Sequence, residues 1–118
     1  MRRSVSVAVL SAVVALGIVA WGVKNSTVAA QQKPQSVEVK IDNFSFGPAV
    51  ITVSVGSTVT WTNRDDIPHT VVSSDDPKVF KSKVLDTEEN FSFTFTKAGT
   101  YPYFCSIHPK MTGRVVVQ

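Results

Sequence analysis

One cysteine, two histidines and, apart from the initiator, one methionine are all the thiol, imidazole and thioether chemistry in 118 residues. A lone cysteine excludes an internal disulfide and a cysteine-rich zinc scaffold. The length excludes a multidomain enzyme. Charge is sparse as well: only 18% of residues are charged, and the net +3 does not describe a basic surface. Arg2, Arg3 and Lys24 lie near the N-terminus, and the other nine basic residues face nine acidic ones. A neutral body has no basic stripe to offer a phosphate backbone, so nucleic-acid binding is excluded as the main function.

The single long hydrophobic run lies at the start. Arg2-Arg3 precede an uncharged, mostly apolar stretch of 19 residues from Val5 to Val23, followed by polar Lys24-Asn25-Ser26-Thr27 and small Val28-Ala29-Ala30. That order is the order of a secretory signal, with cleavage after Ala30. The alternative is an uncleaved membrane anchor, since a bilayer span needs roughly 17–25 residues. Either way, positive charge before the apolar run keeps that end inside and sends everything after Lys24 out. The chain therefore divides into 1–30 as signal or anchor, 31–36 as a polar, flexible lead-in containing Pro34, and 37–118 as the functional body.

A helical period of any length is also missing from that body, and two-residue alternation takes its place. Val37, Val39 and Ile41 point one way and Glu38 and Lys40 the other. Ile51, Val53 and Val55 alternate with Thr52 and Ser54, and Gly56-Ser57 turns the chain into Thr58-Val59-Thr60-Trp61-Thr62. His69 to Ser73 is a fourth β-prone run. Phe91, Phe93 and Phe95 alternate with Ser92, Thr94 and Thr96, a stripe that reads as core rather than binding surface. Thr100 to Cys105 and Val115-Val116-Val117 complete seven short strands, the pattern of an all-β sandwich or barrel. Residues 74–90 are the least regular, with a turn at Asp75-Asp76-Pro77. Pro102 inside a strand requires an edge or a bulge there.

The scarce chemistry is concentrated in two short segments. Cys105, His108 and Met111 stand at successive spacings of three directly after a strand, and Pro109 prevents the segment from continuing as a helix, so it must wrap as a tight loop. Upstream, Asp65-Asp66-Ile67-Pro68-His69 places the second imidazole at the start of a strand. Taken singly, each residue has a plain structural role: a buried inert thiol, a loop or surface histidine, a gap-filling methionine. Jointly, two His and one Cys with a Met for a weak axial contact form the ligand set of a blue-copper electron-transfer site. Thiolate and thioether suit Cu(I), imidazole suits Cu(II), and a rigid sandwich keeps the rearrangement between the two states small.

The sequence resembles the cupredoxins, the amicyanin group most closely and plastocyanin and pseudoazurin more distantly. Two blocks carry the resemblance: Trp61-Thr62-Asn63-Arg64 with Pro68-His69-Thr70-Val71, and Gly99-Thr100-Tyr101, Tyr103, then Cys105 to Met111 with Gly113 and Val115-Val116-Val117. The Cys-x2-His-x2-Met loop has the amicyanin spacing; plastocyanin, pseudoazurin and azurin have longer loops. The resemblance covers most of the chain from about Val37. It implies a Greek-key β-sandwich of seven to eight strands holding one type 1 copper ion, with His69, Cys105 and His108 equatorial and Met111 axial. It implies an extracytoplasmic, monomeric one-electron carrier with no catalysis of its own, meeting a dehydrogenase or a c-type cytochrome near His108. Ile107, Pro109 and Pro68 would form the apolar docking patch.

Three positions depart from the family pattern. Thr70 stands where an asparagine usually braces the two loops, and a hydroxyl has fewer bonding options. Ile107 replaces a proline and so adds a backbone N–H, expected to reach the Cys105 sulfur. Lys110 places a positive charge where relatives are apolar, which favours an acidic partner. Competing functions are a periplasmic copper chaperone or storage protein using the same ligands, and a cysteine hydrolase built on Cys105. The hydrolase is disfavoured because no nucleophile signature surrounds Cys105 and no Asp or Asn is clearly placed to orient either imidazole. Zinc is disfavoured by the methionine.

Overall fold

The computed structural model describes residues 33–118. The segment expected to be a signal or anchor, residues 1–30, lies outside the described residues. Within them the chain forms eight strands: β1 (Ser36–Asp42), β2 (Ser45–Gly47), β3 (Val50–Val53), β4 (Thr58–Asn63), β5 (Val72–Ser73), β6 (Asn90–Thr94), β7 (Gly99–Phe104) and β8 (Thr112–Val117). They build two four-stranded sheets, ordered β2-β1-β4-β6 and β3-β8-β7-β5. Both are mixed: β1 runs parallel to β4 and β3 parallel to β8, while the remaining neighbours are antiparallel.

Alternation decides which side of each strand is buried. In the first sheet Val59 pairs with Phe93 and Trp61 with Phe91, and these side chains face the second sheet. The intervening pairs face solvent as a row of hydroxyls, Thr58 to Thr94 at 2.8 Å and Thr60 to Ser92 at 2.7 Å. From the second sheet Ile51, Val53, Tyr103, Val115 and Val117 close the core. Trp61 is its centre, with Phe80, Phe91 and Tyr103 rings at 5.6, 5.9 and 5.3 Å. Of the phenylalanine stripe, Phe95 is fully buried and Phe91 and Phe93 are half-buried against the core.

Four details refine the sequence-based expectations. The three-residue β2 was not foreseen; its single inward residue, Phe46, stacks edge-on to Tyr103 at 4.7 Å. Strand β3 ends at Val53, and Val55 is exposed rather than alternating inward. Strand β1 starts at Ser36, and the backbone just ahead is tied down, with the Gln35 N–H donating to Ser57 Oγ at 2.8 Å and the Ser54 hydroxyl donating to the Lys33 carbonyl at 2.6 Å. Pro102 lies in a strand with neighbours on both sides, yet its carbonyl accepts the Ser74 N–H at 2.9 Å. Its missing N–H faces that same side, where the two-residue β5 has already ended, so no ladder bond to β8 is lost.

Apart from Asn90, which opens β6, residues 74–90 contain no strand or helix but are not a loose excursion. Lys81 bridges to Val72 and Leu85 to His69, and Phe80 and Leu85 enter the core. This segment therefore packs behind the β4–β5 connection and holds it from one side.

Candidate metal centre

Two connections supply the predicted residues. The β4–β5 connection carries His69, whose backbone N–H and carbonyl both pair with Leu85, at 3.1 and 2.8 Å. The β7–β8 loop carries the others. Its spacing of three is the spacing of consecutive turns: the His108 N–H reaches the Cys105 carbonyl at 3.2 Å, and the Met111 N–H reaches the His108 carbonyl at 2.8 Å. Pro109 occupies the second position of the latter turn, where its fixed φ is favourable. The Cys105 N–H closes the loop onto the Met111 carbonyl at 3.1 Å.

The loops bring three donors together. Cys105 Sγ lies 3.7 Å from His69 Nδ1 and 3.6 Å from His108 Nδ1, and all three donor atoms fall within 4.8 Å of one another. His69 and Cys105 are 0% exposed, while His108 is half-buried. Met111, the fourth predicted residue, is buried at the end of the second turn. With Phe44, His108, Pro109 and Lys110 it lines a depression in the surface. Ile107, Pro109 and Pro68, the residues expected to form an apolar patch, are all exposed.

Burial pushes the Cys105 thiol up, but the Thr70 N–H and the two imidazoles outweigh it and lower its pKa from 9.0 to about 6. That lowering favours the thiolate, the form in which sulfur ligates a metal. The donor expected from Ile107 is not the one that acts on it. The Thr70 N–H points at Sγ at 3.4 Å, and the Thr70 hydroxyl lies 3.7 Å from it.

Thr70 also braces the loops, although a hydroxyl has few bonds to offer. Its Oγ1 accepts the Ser106 N–H at 2.8 Å and lies 2.7 Å from the Ser106 hydroxyl. A hydroxyl has one proton and two lone pairs, and a thiolate can only accept. Both lone pairs of Thr70 therefore serve Ser106, and its proton goes to sulfur. Ser106, which no spacing argument singled out, completes what a larger amide would do alone.

Two further residues were missed. Asp65 Oδ2 lies 2.9 Å from His69 Nε2, so the expectation that no carboxylate orients an imidazole is corrected. A carboxylate can only accept here, so the Nε2–H donates to Asp65 and Nδ1 is the nitrogen turned toward Cys105 Sγ. The spacing of four between Asp65 and His69 was visible; that the loop curls enough to join them was not. The second is Phe44, 53% exposed on the β1–β2 turn, with its ring edge-on to His69 at 5.9 Å and to His108 at 5.2 Å. The Cys–His–Asp arrangement does not revive a hydrolase, because a fully buried sulfur cannot meet a substrate.

Comparison with known proteins decides the family. A family model described as cupredoxin-like domain matches residues 12–117. The chain belongs to the cupredoxin-like family. This cupredoxin is 37% identical to amicyanin-alpha of Methylorubrum extorquens over 122 residues, covering 100% of both chains. Among solved structures it superposes on the novel purple cupredoxin from Nitrosopumilus maritimus with a TM-score of 0.65 and 34% identity, covering 70% of this chain and 99% of that one. A Cu(I) form of an amicyanin variant gives a TM-score of 0.67 at 38% identity, covering 76% of this chain and 89% of that one. The eight strands in two mixed sheets match the fold of these neighbours.

Proposed function

We propose that this cupredoxin is a small extracytoplasmic electron carrier that holds one type 1 copper ion with His69, Cys105, His108 and Met111. The single observation that carries the reading is the convergence of the Cys105 sulfur and two imidazole Nδ1 atoms within 4.8 Å. That donor set fits copper, with a buried thioether at hand for a weak fourth contact. Bound copper supplies a one-electron couple between Cu(I) and Cu(II). The protein's part is to keep the donors fixed through that change. His69 is locked by Asp65 and Leu85, Cys105 by Thr70 and Met111, and His108 by the two turns on either side of it. The half-buried His108 is the one imidazole that reaches the surface, among exposed Ile107, Pro109 and Pro68, and this is where a redox partner would dock.

The burial of His69 and Cys105 favours a carrier over a copper chaperone or storage protein, because handing the metal on requires ligands that another protein can reach. The N-terminal signal-like segment and the similarity to amicyanin support an extracytoplasmic location, with the charge of Lys110 favouring an acidic partner. The protein works as a monomer and catalyses nothing itself. Visible and EPR spectra of the copper-loaded chain test the reading. An intense thiolate-to-copper band and a reversible couple are expected, with the band lost in Cys105→Ser and the potential lowered in Met111→Gln, where an oxygen donor favours Cu(II). A colourless protein that binds Cu(I) alone and releases it readily would overturn it.

A further inference from the structure

One carboxylate oxygen does two jobs beside the centre. Asp65 Oδ2 accepts the Nε2–H of His69 at 2.9 Å and the backbone N–H of Phe44 at 3.0 Å. Those two donors belong to different elements: His69 to the β4–β5 connection and Phe44 to the β1–β2 turn.

The turn needs holding. Asn43 and Phe44 have φ of 50° and 56°, two successive left-handed residues, neither of them glycine. Asparagine tolerates that region, but a bulky aromatic side chain does so poorly, and such strain persists only where the surroundings enforce it. Burial of the ring does not enforce it, since Phe44 is 53% exposed. What the strained turn achieves is placement: the ring stands at 88° to both imidazoles, its centroid 5.9 Å from that of His69 and 5.2 Å from that of His108.

Asp65 is itself rigidly seated. Its N–H donates to Asn63 Oδ1 at 2.9 Å and its carbonyl accepts the Thr87 hydroxyl at 2.6 Å, while Asn63 Nδ2 donates to the carbonyls of Ile67 and Leu85, both at 2.9 Å. Its side chain is only 16% exposed, so the carboxylate works against little competing water. Its pKa is lowered, first by the Phe44 N–H and then by the His69 hydrogen bond, consistent with an ionised acceptor serving both.

We propose that Asp65 is a positioning residue of this centre: it fixes the buried His69 with Nδ1 free for metal, and it clamps the left-handed Asn43–Phe44 turn so that the Phe44 ring covers both imidazoles. The inference rests on the copper reading for its effect on potential, and on the hydrogen bonds alone for its effect on geometry. The carboxylate makes the imidazole a stronger donor, which stabilises Cu(II) over Cu(I). Phe44 shields the imidazole edges from water at the surface depression it shares with His108.

The test uses the full chain loaded with Cu(I), which is diamagnetic, and follows solvent exchange of the His69 Nε2–H and Phe44 N–H protons by NMR. Asp65→Ala is expected to speed both exchanges by roughly tenfold or more, the loss of hydrogen bonds to a charged group. Asp66→Ala, removing the neighbouring exposed carboxylate, should leave both slow. Asp65→Asn keeps an acceptor oxygen in place without its charge, so exchange stays slow while the reduction potential rises. If Asp65→Ala leaves either proton as protected as in the unsubstituted chain, or Asp66→Ala exposes both equally, the proposal is overturned. If the unsubstituted chain takes up no copper, the copper reading fails instead, and the metal-free chain still reports on the two protons.

Discussion

Gly113 lacks a side chain because Tyr103 occupies the space. The two face each other across β7 and β8, and a Cβ on Gly113 would stand 2.3 Å from Tyr103 Cζ and 2.4 Å from its hydroxyl oxygen. The ring cannot retreat, since it is wedged against Trp61, Phe46 and Phe80, and its burial pushes the phenol pKa up to about 12. Gly113→Ala is therefore expected to lower stability by about 1–3 kcal/mol, the usual cost of overpacking, read from the denaturant midpoint. Cys105 offers a second test. Folding lowers its pKa from 9.0 to about 6, so between those values the unfolded metal-free chain binds more protons than the folded one. Stability from this group is fully present above pH 9.0, falls as pH drops through the window, and is gone below about 6. Unfolding of the metal-free protein across that range should show the rise with pH, and the difference from Cys105→Ser isolates it.

The element that matters most is the β4–β5 connection, because it is pinned by side chains rather than by a ladder. Asn63, fully buried at the end of β4, supplies three of its bonds: one accepted from Asp65 and two donated, to Ile67 and Leu85. Asn63→Ala leaves the Asp65 N–H and the Ile67 carbonyl without these partners and is expected to cost roughly 1–3 kcal/mol, checked by chemical denaturation. Because the same bonds seat Asp65 under His69, the copper spectrum of the variant should also broaden or weaken. The β7–β8 loop was far more legible. Its Cys-x2-His-x2-Met spacing and Pro109 foretold a tight loop, and the fold builds that loop from two consecutive turns. Local spacing determines a turn; it does not determine what a side chain of one loop reaches in another. For that reason Thr70, Ser106 and Asp65 acquired their roles only in the fold.

At the scale of the molecule, the centre joins the two sheets. His69 lies on the connection that leaves β4 in the first sheet, and Cys105, His108 and Met111 lie between β7 and β8 in the second. A metal held by both sides should act as a cross-link in the folded state alone. Copper at a thousandfold excess over its dissociation constant is expected to add about 4 kcal/mol of stability, seen as a rise in Tm that a chelator reverses and Cys105→Ser abolishes. A Tm indifferent to copper would mean that the donors do not hold it together.

The sequence by itself determined what short-range physics can determine. Two-residue alternation marked most strands and their buried faces, although it carried β3 too far, to Val55, and scarce ligand types at a spacing of three marked the candidate donors. It misjudged β2, because three residues around one buried Phe46 are too short for a period to register. The tertiary structure alone decided which distant groups meet. Asp65 under His69, Phe44 across both imidazoles and Thr70 on the Cys105 sulfur join residues up to 64 positions apart, Phe44 to His108. No local pattern encodes such contacts, because each depends on how two sheets pack and where their connecting loops converge.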